Sequence, residues 1–229
     1  MRRGAGPERR SVRVWDAPTR LFHWLLALLV AAMWVTGEER AISVHTQIGV
    51  ALFGLVVFRV LWGFVGSETA RFARFLKGPS TVWAYLCGRY VHGLGHNPLG
   101  GWSVAALLLV LLAQCALGLV AQDVDGMESG PLSHLVSYET SEAARIWHHR
   151  LFDALLILVG LHLLAILWYF LGRGEDLVTP MLNGRTQVPA DTPEPRAGSK
   201  TAFAGAAVAA VALALWVGAG APLPAPFTP

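Results

Sequence analysis

Along the chain, hydrophobic positions gather into five runs, at about 21–36, 46–65, 102–121, 147–171 and 202–219, and the stretches between them carry most of the charges. A helix rises about 1.5 Å per residue, so roughly 20 apolar residues cross the hydrocarbon of a bilayer, and each run is near that length. The pattern predicts an all-α integral membrane protein. Four of the runs are expected to form a bundle, and the fifth, rich in Ala, Val and Gly and without histidine, a C-terminal transmembrane helix packed at the periphery. The first run ends in Thr36-Gly37-Glu38-Glu39 rather than in a small-residue cleavage site, so it is read as a retained span. The expected organisation is an N-terminal tail (1–20), a transmembrane domain (21–186), a flexible linker rich in Pro, Thr, Asp and Glu (187–200), and a C-terminal helix with its tail (201–229).

Composition agrees with this picture and narrows it. Hydrophobic residues make up 54% of the chain and charged residues only 14%, against about 25% charged in ordinary soluble domains. The net charge of +3 comes from residues beside the apolar runs rather than from a binding face, which argues for lipid and against nucleic acid as the partner. The two cysteines, Cys87 and Cys115, form neither a disulfide framework nor a Cys-x-x-Cys-His motif, so thioether-linked haem is excluded. No nucleophile–base arrangement, phosphate-binding glycine loop or zinc spacing is evident, and Gly63, Gly66, Gly100 and Gly101 read as helix-packing and turn glycines. The protein need not be an enzyme in its own right.

Charge placement sets an expected orientation. Six arginines fall in the first 20 residues; Arg71, Arg74, Lys77 and Arg89 fall in 66–101; Arg173, Arg185, Arg196 and Lys200 fall in 172–200. The connection 37–45 has only Arg40, and 122–146 sets Arg145 against Asp123, Asp125, Glu128, Glu139 and Glu142. Positive residues stay inside, so the N-terminus is expected in the cytoplasm and the acidic 122–146 loop in the periplasm of a bacterial inner membrane.

Metal-binding side chains inside a span are functional candidates by default. His23 stands at the cytoplasmic start of the first run, His45 at the periplasmic start of the second, His148 and His149 at the periplasmic start of the fourth, and His162 lies 14 residues beyond His148. Fourteen residues fall only about 40° short of four helical turns, so His148 and His162 share a face about 21 Å apart along the axis, while His149 misses that face by about 140°. By depth, His45 pairs with His148 and His23 with His162. Two ligand pairs near opposite membrane surfaces suit two stacked haems held non-covalently, each iron taking an imidazole on either side, as electron transfer requires. Arg59, 14 residues after His45, is placed either to pair with haem propionates or to snorkel toward headgroups. Gln114 reads as a bridge between helices, and His92, His96, His134 and His149 as surface histidines.

The stretches Val14-Trp-Asp-Ala-Pro-Thr-Arg-Leu-Phe-His23-Trp24, His45 with Ile48-Gly49, Phe58-Arg-Val-Leu-Trp-Gly-Phe-Val-Gly66, Gly95-His-Asn-Pro-Leu-Gly-Gly101 and the His148–His162 step resemble the prokaryotic cytochrome b561 family, which includes the b-type cytochrome subunits of nickel–iron hydrogenases. The resemblance covers about residues 12–186. It implies a four-helix bundle with two b haems ligated by His23, His45, His148 and His162, exchanging electrons between the quinone pool and a periplasmic or membrane-bound redox partner. The acidic loop would dock a positively charged partner such as a cytochrome c, and a second copy of the chain is a further candidate partner. Two other readings stand beside this one: the membrane anchor subunit of a hydrogenase or dehydrogenase, and a haem-free transporter whose histidines relay protons.

Overall fold

In the computed structural model, which describes residues 8–91 and 93–222, five helices are long and apolar enough to cross a membrane. Arg2, Arg3 and His92 lie outside the described residues. The long helices are α1 (Ala17–Glu38), α2 (Ile42–Val65), α5 (Pro98–Val120), α6 (Tyr138–Arg173) and α8 (Lys200–Gly218). Between them come the short helices α3 (Phe72–Phe75), α4 (Pro79–Leu86) and α7 (Val178–Asn183) and two strands, β1 (Arg9–Arg13) and β2 (Arg185–Pro189).

Local sequence sets where the long helices begin. Asp16 caps α1 by accepting from Thr19 N–H at 2.8 Å, and Asn97 caps α5 by accepting from Gly100 N–H at 2.7 Å. Each cap is followed by a proline in the first turn, where the missing N–H has no partner to lose. Ser137 and Ser199 cap α6 and α8, and Gly174 ends α6 in the left-handed conformation, φ 65°, that glycine adopts without a Cβ clash. The capped start puts the first residue of α6 at Tyr138, well ahead of the apolar run. His148 therefore sits three turns into a 36-residue helix rather than at its opening.

Packing runs α1 on α2, α2 on α5 and α5 on α6, around a core of Leu52, Val56, Leu111, Cys115 and Leu155. Leu161, Leu163, Leu164 and Leu167 of α6 remain exposed, an apolar surface suited to lipid and not to water. Helix α8 lies against α2 along Ala206, Ala210 and Ala214. A Cβ added at Gly54 would come within 2.9 Å of the Ala214 Cβ, and one at Gly218 within 3.1 Å of Val50. Small residues let the two backbones approach closely. A V50C/G218C pair is accordingly expected to crosslink under mild oxidation. Adding Gly54→Leu should cut the crosslinked fraction several-fold on a non-reducing gel; undiminished crosslinking would show that this contact does not hold α8.

The helices leave two ends of contrasting charge. At the arginine-rich end, β1 and β2 form an antiparallel ribbon with Arg13 opposite Arg185, an element added to the expected all-α fold. The 187–200 segment, expected to be flexible, follows a hydrogen-bonded path there. Arg13 N–H donates to Glu194 Oε1 at 3.1 Å, and Glu68 takes both backbone groups of Arg196, donating N–H to its carbonyl at 3.0 Å and accepting from its N–H at 3.1 Å. Composition does not reveal these partners, because they sit more than 100 residues away in the chain. The opposite end carries the turn at 37–41 and the acidic 121–137 loop, which contains one 3-10 turn, Ser133–Leu135.

Candidate functional site

Two imidazole pairs bridge α6 to its neighbours. At the acidic-loop end the rings of His45 (α2) and His148 (α6) have centroids 6.2 Å apart; at the arginine-rich end those of His23 (α1) and His162 (α6) are 6.4 Å apart. These are the two pairings that depth in the sequence predicted. The spacing is informative. A metal–imidazole nitrogen bond is about 2.0–2.1 Å, and the ring centre lies about 1.2 Å behind the nitrogen, so two axial imidazoles on one metal place their centroids roughly 6.4 Å apart. Direct packing of two rings also occurs near this distance, but here the same value recurs at both ends of one helix face. His149 is exposed, with its ring 6.3 Å from that of His148 and nearly perpendicular to it.

Hydrogen bonds fix the tautomer of the pair at the acidic-loop end. His148 Nδ1 lies 3.0 Å from the backbone carbonyl of Gln114, which can only accept, so Nδ1 carries the proton and Nε2 keeps its lone pair. His45 Nδ1 lies 3.2 Å from Thr36 Oγ1, and the single hydroxyl proton of Thr36 is directed at the Ala32 carbonyl, 2.8 Å away. Both imidazoles therefore present an unprotonated Nε2 with its lone pair available to a metal, held in orientation from behind. Gly118, one turn beyond Gln114, leaves the space that the His148 ring fills.

The arginine-rich end is built differently. Neither His23 nor His162 makes a hydrogen bond among the described residues, and His23 Nδ1 is buried without a partner. Arg59 is 2% exposed, its guanidinium 5.9 Å from the Phe22 ring and 5.4 Å from that of Phe72. Its Nη1 is buried and unpartnered, and no carboxylate among the described residues forms an ion pair with it. Asp16, whose charge it feels, has Oδ1 engaged by Thr19 N–H and Oδ2 by Trp62 Nε1 at 3.0 Å. A buried cation without a counter-ion is costly enough that an anionic ligand is the expected partner. Of the two alternatives for Arg59, its burial is what pairing with an anion would need, whereas a side chain snorkelling to headgroups would be exposed.

His96 is the residue that sequence reasoning missed. Expected at the surface, it is wedged between Trp15 and Phe75, with ring centroids 4.6 and 4.8 Å away, and its Nδ1 is sealed and unpartnered. Burial, with the Arg59 guanidinium adding to it, holds its pKa down to about 3, so the ring is neutral at pH 7. The one available signal was its place in Gly95-His96-Asn97-Pro98, where Gly95 takes φ 96° and turns the chain into the α5 cap. Gln114 is buried, but its side chain bridges nothing among the described residues, its Oε1 being without a partner, and it is the backbone carbonyl that meets His148.

The family model for prokaryotic cytochrome b561 matches residues 14–184. A probable Ni/Fe-hydrogenase B-type cytochrome subunit of Azotobacter chroococcum is 24% identical, the match covering 80% of this chain and 92% of the relative. Its counterpart in Rhizobium leguminosarum is 23% identical, over 77% of this chain and 89% of the relative. No solved structure matches significantly. A family match that spans four of the five long helices and all four paired histidines leaves little of the bundle outside it. The chain thus belongs to the prokaryotic cytochrome b561 family, as a multi-pass membrane cytochrome of the b type that serves electron transfer.

Proposed function

We propose that the chain holds two haem b groups, one between His45 and His148 and one between His23 and His162, and carries electrons across the membrane between the quinone pool and a redox protein. The observation that carries this reading is the pair of imidazole spacings, 6.2 and 6.4 Å, at opposite ends of one face of α6. Among the described residues no three potential ligands gather into a metal site, so each pair supplies two donors only. A group that brings its own equatorial donors fits that supply, and haem does so. When bound, it would supply a one-electron iron couple, with each histidine pair holding the metal.

The protein's own residues orient and insulate. Gln114 and Thr36 turn Nε2 of His148 and His45 toward the shared axis, and the core leucines and valines exclude water from the space between the sites. Arg59, whose Nη1 is buried without a partner, would be the residue to hold a propionate of the second haem by a charge-assisted hydrogen bond. The arginine-rich end faces the cytoplasm of a bacterial inner membrane and the acidic loop faces the periplasm, by the positive-inside rule. Because curated relatives are described as hydrogenase cytochrome subunits and align over about nine-tenths of their length, a periplasmic hydrogenase is the redox partner with the most support.

Purified protein is expected to show a low-spin b-type reduced-minus-oxidised spectrum and two haems per chain by pyridine haemochrome assay. A protein purified intact without that spectrum would overturn the proposal and favour a histidine proton relay.

A further inference from the structure

The two histidine pairs differ in what stands behind them, and that difference bears on which way electrons run. At the acidic-loop end both ligand candidates donate a hydrogen bond from Nδ1, His148 to the Gln114 carbonyl at 3.0 Å and His45 to Thr36 Oγ1 at 3.2 Å. An imidazole that donates a strong hydrogen bond becomes a more basic ligand, which favours the oxidised iron. At the arginine-rich end His23 and His162 have no such acceptor among the described residues, and a sealed Arg59 supplies positive charge that favours the reduced iron. Arg145, three residues before His148 on α6, also has a buried and unpartnered Nε, but the residue as a whole is only half-buried. Ligand basicity therefore sets the order of the two sites, and Arg59, 2% exposed where Arg145 is half-buried, adds to it.

We infer that the chain sets the haem between His45 and His148 at the lower midpoint potential and the haem between His23 and His162 at the higher one, with Thr36 as a positioning residue and Arg59 as an electrostatic one. This rests on the two-haem reading proposed above. The ordering makes transfer of one electron from the acidic-loop end to the arginine-rich end the downhill direction: a reduced redox protein outside is oxidised by one electron, and a quinone at the far end takes it up. If Arg59 pairs with a propionate the sign is unchanged, because removing it would leave that carboxylate uncompensated beside the iron.

The test is a potentiometric titration of the full-length, haem-loaded protein, followed by visible spectrum and EPR. Two separate midpoints are expected, and in His148→Ala, which keeps only the haem at the arginine-rich end, the surviving midpoint should be the upper one. Thr36→Val should raise the lower midpoint and leave the upper in place, with Thr36→Ser restoring it; Arg59→Gln should lower the upper midpoint, with Arg59→Lys restoring most of the shift. Survival of the lower midpoint in His148→Ala, or a Thr36→Val shift confined to the upper midpoint, overturns the inference while leaving the two-haem reading intact. A wild-type protein without two b haems would instead sink that reading. The His148→Ala comparison decides the matter even if Thr36→Val fails to fold.

Discussion

Replacing His148 with alanine is expected to halve the haem content, whereas His149→Ala should keep both haems. The two residues are adjacent, but a helix turns about 100° per residue, so only one of them can point at the partner on α2. His148 is half-buried, has its ring centroid 6.2 Å from that of His45, and is clamped through Nδ1 by the Gln114 carbonyl. His149 is exposed and makes no hydrogen bond among the described residues. Haem per protein by pyridine haemochrome assay should fall to about half in His148→Ala and stay at the wild-type value in His149→Ala. Equal loss in the two variants would break the helical-face assignment. His162→Ala should lose the other haem, and the double variant His148→Ala/His162→Ala should lose both, because the sites lie about 21 Å apart along α6 and are too distant to share a ligand.

What could be read from sequence follows from which forces act locally. The spans were legible because hydrocarbon selects length and apolarity residue by residue, and the pairing of His45 with His148 and His23 with His162 followed from depth and from a 14-residue step on a rigid helix. The ribbon of Arg9–Arg13 with Arg185–Pro189 was not legible. Arg-Arg-Ser-Val-Arg has no strand-like alternation, and its partner lies about 175 residues downstream. His96 was misplaced for a related reason: a histidine in a polar loop looks solvated until Trp15 and Phe75 arrive from distant segments to enclose it. Arg59 could be placed by helical arithmetic, but that it is buried rather than snorkelling emerges only once Phe22 and Phe72 pack over it. The start of α6 was missed because a polar, capped turn can extend a membrane helix into water with no hydrophobic signal.

Gly118 is the position at which one added side chain should have the largest effect without replacing a histidine of either pair. A Cβ there would come within 2.9 Å of His148 Cε1 and 3.2 Å of its Nδ1, closer than side chains tolerate. The ring cannot relax outward, because its Nδ1 is bonded to the carbonyl of Gln114, one helical turn away on the same face of α5. Glycine and carbonyl together form a slot whose width is one imidazole, and filling it forces the ring either off its hydrogen bond or off the axis it shares with His45. Gly118→Ala should weaken retention of the haem at the acidic-loop end, and Gly118→Leu should remove it, leaving the spectrum and midpoint of the other haem as in His148→Ala. Ala116→Leu, on the exposed face of the same helix, is the control for added bulk and should retain both haems. The slot has no such role if Gly118→Leu keeps two haems with unshifted midpoints. That outcome would mean the His148 ring is placed from α6 alone, and α5 serves only as its packing wall.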